Sequence, residues 1–161
     1  MNRLEKLRNK IDLLIMEHQP SNARYFTSHL YGVSEYCALL ALRRGHDPEL
    51  AQTAGMLHDI YQITHNTIEK HAIKGAEVAG EILESIDSYS SCEIEKITQA
   101  ISRHSKKRKV HEPFDEVLKD ADVMSHFLYN TDFPIVEKEV ERVDAILAEL
   151  GCKKERHARG L

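Results

Sequence analysis

Residues 48–60 read PELAQTAGMLHDI, and the fold class is decided here. Proline suits the first turn of a helix, where its missing N–H would have no intrahelical partner anyway. Leu50, Ala54 and Leu57 then recur three or four residues apart, so they share one inward face that runs directly into His58 and Asp59. The same period spreads outward from this stretch. Upstream, Phe26, Leu30, Val33, Cys37 and Leu40 mark a helix that Ser21 or Asn22 can cap and Gly45 can close, with His29 on its apolar face. Before it, Leu4, Leu7, Ile11, Leu14 and Ile15 form a first helix that stops ahead of Gln19-Pro20. Downstream, the polar residues 62–67 read as a loop. A helix follows, carrying Ile68, Ala72, Gly75, Ala76, Ala79, Ile82 and Leu83, with His71 beside that stripe.

After turn-rich residues 87–91, Ile94, Ile97 and Ile101 define another face that continues to His104. A helix opening near Pro113 places Val117, Leu118, Ala121 and Leu128 inward together with Asp122, leaving Lys119 off that face. The last, after Pro134, puts Ile135 or Val136, Val140, Val143 and Leu147 on one stripe and ends at Gly151; residues 152–161 read as a polar, frayed tail. No segment alternates with period two. The expected fold is therefore all-α, a single-domain bundle of six to seven helices spanning residues 1–161.

Composition narrows the function classes. A chain of 161 residues with 42% hydrophobic and 30% charged residues can build one ordinary core. No apolar run approaches the roughly 18 residues a membrane helix needs, and residues 1–10 are charged with no secretory h-region after them, so a cytoplasmic protein without a membrane partner is expected. Cys37, Cys92 and Cys152 are widely spaced and form no CxxC, which disfavours a disulfide framework or a zinc finger. A net charge of -4 gives no global attraction to nucleic acid, and none is expected as a partner. Residues 103–109 hold five cations, Arg103, Lys106, Lys107, Arg108 and Lys109, and read first as a solvated loop. Nothing in the sequence decides whether the chain forms a homodimer.

Imidazoles and carboxylates seldom belong on apolar helix faces, because burying one without a partner costs several kcal/mol. Here His29, His58, Asp59, His104 and Asp122 fall on or at the end of inward faces, and His71 falls at the edge of one. A divalent cation is the simplest partner common to several neutral imidazoles and two carboxylates, since it offsets the desolvation of all of them together. Each residue alone is an ordinary core or half-exposed side chain; the ordered set is what points to a metal.

Three segments carry a family likeness. Ser28-His29-Leu30, Met56-Leu57-His58-Asp59-Ile60 and residues 119–125 (KDADVMS) resemble, in order and spacing, the first histidine, the namesake dipeptide and the closing aspartate of the HD superfamily of metal-dependent phosphohydrolases. The resemblance runs from about residue 28 to 128. It implies His29, His58, Asp59 and Asp122 as primary metal ligands, with His71 and His104 matching the extra histidines of the subset that binds two ions. Two departures stand out. Ile60-Tyr61-Gln62 follows the dipeptide where many members carry a small residue and lysine, and Gln62 stands where some nucleotidases of the family place an acid. No GYP-type segment follows His104 either.

The resemblance implies hydrolysis of a phosphate ester or anhydride in a small phosphorylated substrate such as a nucleotide, with Asp59 shared between two divalent ions. Iron, manganese, nickel and zinc all suit imidazole and carboxylate ligands. Lys74, Arg103 and Lys106 are the basic residues nearest the motifs and candidates for substrate phosphate, although an exposed surface role is at least as plain a reading of each. A dinuclear-iron oxygenase on the same ligands is the alternative. A regulatory metal-binding module ranks third, because a purely structural site would more commonly be closed by thiolates.

Overall fold

A computed structural model describes residues 2–152 as eight α-helices and two short 3-10 turns, with no strand among them. The helices are α1 (Arg3–His18), α2 (Ala23–Arg44), α3 (Pro48–Leu57), α4 (Ile60–His65), α5 (His71–Ile86), α6 (Ser91–Arg103), α7 (Pro113–Tyr129) and α8 (Val140–Glu149); the turns are Pro20–Asn22 and Glu137–Glu139. The all-α expectation holds. The tail read from residue 152 onward lies, apart from Cys152, outside the described residues.

Local chemistry sets the boundaries. Gly45 closes α2 in the left-handed conformation, φ 73°, which lets the chain turn back at once. Asp47 then caps α3, its carboxylate accepting from the N–H groups of Glu49 (2.9 Å) and Leu50 (3.1 Å), with Pro48 in the first turn. Ser90 and Glu93 form a reciprocal capping box at the start of α6.

Leu7, Ile11 and Ile15 of α1, Leu30, Val33 and Leu40 of α2, Met56 and Leu57 of α3 and Ile97 and Ile101 of α6 meet in one apolar core. Within it α2 and α3 cross at backbone contact. A Cβ on Gly55 would lie 2.8 Å from the Ser34 Cα, so only glycine permits this approach. The crossing brings His29 and His58 together.

Several elements differ from the sequence expectation. Residues 62–67 are not simply a loop, because α4 occupies Ile60–His65 and buries Ile60, Tyr61 and Ile63, which packing favours over the polar composition. α5 begins at His71, and Ile68, expected on its stripe, is exposed. Leu128 is also exposed rather than inward, and of the pair Ile135 or Val136 it is Ile135 that packs against the core while Val136 is exposed. Lys119 is fully buried: its ammonium donates to the Lys109 carbonyl (2.8 Å) and to Glu116 (2.7 Å), so its polar end is satisfied inside.

Candidate metal centre

His58 and Asp59 are adjacent in sequence, and on a continuous helix they would point about 100° apart. The helix breaks between them. Asp59 has φ -110° and ψ 18°, outside helical geometry, and α4 starts afresh after it. This break lets both side chains face one interior space, which α2 enters with His29, α5 with His71, α6 with His104 and α7 with Asp122.

Two groups of ligand atoms result. In the first, the Nε2 atoms of His29 and His58 are 3.2 Å apart, with Asp59 Oδ2 at 3.7 and 3.5 Å from them and Asp122 Oδ1 at 3.5 and 3.6 Å. In the second, Asp59 Oδ1 lies 3.6 Å from His71 Nε2 and 3.5 Å from His104 Nε2, which are 3.3 Å from each other. Atoms that share an ion at about 2.0–2.2 Å sit roughly 3–3.6 Å apart, so both groups have ligand spacing. Asp59 contributes one oxygen to each.

The imidazoles are oriented by their far nitrogens. His58 Nδ1 donates to the Gly55 carbonyl (2.8 Å), His71 Nδ1 to Ile68 (2.9 Å) and His104 Nδ1 to Ile101 (2.7 Å). A carbonyl only accepts, so Nδ1 carries the hydrogen and Nε2 faces inward as an electron-pair donor in the neutral ring. His29 Nδ1 meets the Ser125 hydroxyl at 3.3 Å.

Electrostatics agrees with a cation-binding interior. Among the described residues, Asp59 Oδ1 and Asp122 Oδ1 are the buried side-chain oxygens without a hydrogen-bond partner. An orphaned buried carboxylate oxygen is costly unless a positive charge meets it, so the residues present fit a divalent ion. Burial alone would raise both carboxyls, but neighbouring imidazoles, and Lys107 beside Asp122, hold them well below the usual range. Burial opposes charging of His58 as well, yet Asp59 and Asp122 outweigh it and push its pKa up to about 9. At His104 burial wins and the pKa falls.

All six residues expected around a metal are thus brought together. Three further residues join the site. Lys107, expected in a solvated loop, is instead buried with its ammonium on Asp122 Oδ2, where the carboxylate compensates its charge, and this turns Oδ1 toward the imidazoles. His126 stands one turn beyond Asp122, and Glu139 touches His126. The Asp122-x-x-x-His126 spacing was the available signal, since residues four apart share a helix face.

The candidate substrate contacts do not gather. Arg103 donates to the buried Asp115 carboxylate at 2.8 Å; Lys74, one turn after His71, donates to the Tyr61 hydroxyl at 3.1 Å; Lys106 is exposed beside Lys138. A cleft of about 600 Å³ opens instead beside His29 and His126, lined by Tyr25, Tyr31, Tyr36, Tyr129 and Glu35. The Tyr25 ring lies nearly parallel to that of His29, 9° apart at 6.0 Å.

Known proteins place this arrangement. Ribonuclease Y of Clostridium tetani is 39% identical over 71 residues, which is 44% of this chain and 14% of that protein. Ribonuclease Y of Lawsonia intracellularis is 27% identical over 131 residues, 80% of this chain and 24% of the relative. The chain therefore spans a quarter or less of the length of these relatives. A crystal structure described as a predicted HD superfamily hydrolase, from an uncultured Thermotogales bacterium, superposes with a TM-score of 0.60 at 22% identity, covering 94% of this chain and 96% of that one; it shows the shared helical fold. The sequence profile of the HD domain matches residues 26–148, which include all six clustered histidines and aspartates, and the chain belongs to the HD-domain family.

Proposed function

We propose that the chain is a metal-dependent phosphohydrolase that cleaves a phosphate ester or anhydride in a nucleotide or another small phosphorylated metabolite. The observation that carries this reading is Asp59, whose two oxygens face two separate groups of imidazole nitrogens. His29, His58, Asp59 and Asp122 would hold one ion, and Asp59, His71 and His104 a second. Bound ions supply a water of lowered pKa as nucleophile and positive charge against the phosphoryl oxygens. The protein's part is positional. The carbonyls of Gly55, Ile68 and Ile101 fix the rings of His58, His71 and His104, and Lys107 fixes Asp122, so these four ligands are held in place before an ion arrives. Lys74 and Lys106 keep exposed ammonium groups near the motifs and are proposed to meet substrate phosphate.

The test is a panel of nucleotides, phosphorylated metabolites and short RNAs assayed for hydrolysis with Mn²⁺, Ni²⁺, Fe²⁺ or Zn²⁺, in air and under argon. RNA is included because of the likeness to ribonuclease Y. Metal-dependent cleavage that persists under argon is the expected result. Turnover that requires dioxygen would establish the oxygenase alternative instead, and no turnover with any metal would overturn the assignment.

A further inference from the structure

His126 repeats the construction of the clustered histidines. Its Nε2 lies 3.4 Å from Asp122 Oδ1, the same orphaned oxygen that His29 and His58 approach at 3.5 and 3.6 Å. Its ring stacks on that of His29, 3° from parallel with centroids 5.2 Å apart. On the far side, Nδ1 is 3.3 Å from Glu139 Oε2, and Glu139 is 4% exposed. A carboxylate only accepts, so Nδ1 donates to it and the Nε2 electron pair of the neutral ring is directed at Asp122 Oδ1. An electron pair facing an anionic oxygen at this distance is repulsive unless a proton or a metal ion lies between them, and His29, Asp122 and His126 bring their ligand atoms within 4.8 Å of one another, close enough to share one ion. A carboxylate that holds the far nitrogen of an imidazole is also the usual outer partner of a metal-bound histidine.

We propose that His126, oriented by Glu139, is a fifth protein ligand to the ion held by His29, His58, Asp59 and Asp122. The inference rests on the metal centre proposed above. It makes the two positions unequal: five protein ligands surround the first ion, whereas Asp59, His71 and His104 give the second only three. The first ion is therefore the tightly held one, and the second keeps more coordination positions for exchange and for substrate oxygens. Glu139 belongs to the turn that follows α7, so this segment becomes part of the centre although it contains none of the motif residues.

The experiment titrates the metal-free protein with Mn²⁺, using a competing chelator to resolve the tighter site. Wild type should bind two equivalents with clearly separated affinities. His126→Ala should weaken the tighter one by about 10–100-fold and leave the weaker within about twofold. Glu139→Ala should move the same equivalent in the same direction by less. His126 is 43% exposed at its side chain on the wall of an open cleft, so added imidazole should restore tight binding to His126→Ala, which a purely structural role would not allow. His126→Gln provides a size-matched control on folding by circular dichroism. Tight binding unchanged in both His126 variants would overturn the inference while leaving the metal centre intact; a wild-type protein that binds no metal would overturn both.

Discussion

The two oxygens of Asp59 sit in different company, one with His29 and His58 and the other with His71 and His104. No neighbouring acid can replace a carboxylate placed between two ligand groups. Asp59→Ala is therefore expected to keep its helical content while metal affinity falls more than about 100-fold, beyond the loss typical of outer partners. Elemental analysis with circular dichroism checks this, and near-normal metal content would remove Asp59 from its central place. His71→Ala or His104→Ala should delete one equivalent and leave the other. His58 adds a pH dependence. In the metal-free protein it stays protonated up to about pH 9, and an ion must displace that proton to reach Nε2. Apparent affinity should accordingly rise by up to about tenfold per pH unit below pH 9 and level off above it, with proton release visible by calorimetry in buffers of different ionisation enthalpy; affinity flat between pH 6 and 9 would refute this.

Between α6 and α7, the run of cations that looks uniform in sequence divides by role. Arg103 neutralises buried Asp115 and Lys107 neutralises buried Asp122, whereas Lys106 faces solvent. Arg103→Ala should lower stability by about 1–3 kcal/mol by leaving Asp115 without its partner. Lys106→Ala should leave the melting temperature unchanged and raise KM more than it lowers kcat, as expected for a contact that acts through binding. The opposite pattern would exchange the two roles. Helical period was enough to place His29, with Phe26 and Val33 three and four residues away, and Asp122, with Leu118 four residues before it, on inward faces. The same period failed for Lys119, whose aliphatic stem is buried while its ammonium finds acceptors that no local pattern reveals. It failed again for α4, a helix of six residues whose polar sequence is overridden by burial of Tyr61 and Ile63. His126 escaped notice for a related reason: it sits near the end of α7, half exposed, and its partner Glu139 is thirteen residues away beyond a turn.

Across the whole molecule, the apolar core and the charged interior make separate contributions. Leu7, Ile11, Leu30, Leu57 and Ile97 pack without touching on metal chemistry, so removal of metal should leave the bundle folded. Ions bound only to the native state add stability by mass action, about 4 kcal/mol for one ion at a thousand times its Kd. Chelation should thus lower the melting temperature by on the order of 10 °C without loss of helix. Unfolding at room temperature on chelation would mean that the core cannot stand alone. The cleft beside His29 has a practical outcome. The chain contains no tryptophan, so its ultraviolet emission comes from six tyrosines, and four of them line that cleft. Tyr25, stacked on His29, is placed to lose emission when a paramagnetic ion or an absorbing ligand arrives nearby. The protein carries its own optical probe, and occupancy can be followed in unlabelled wild type by fluorescence quenching.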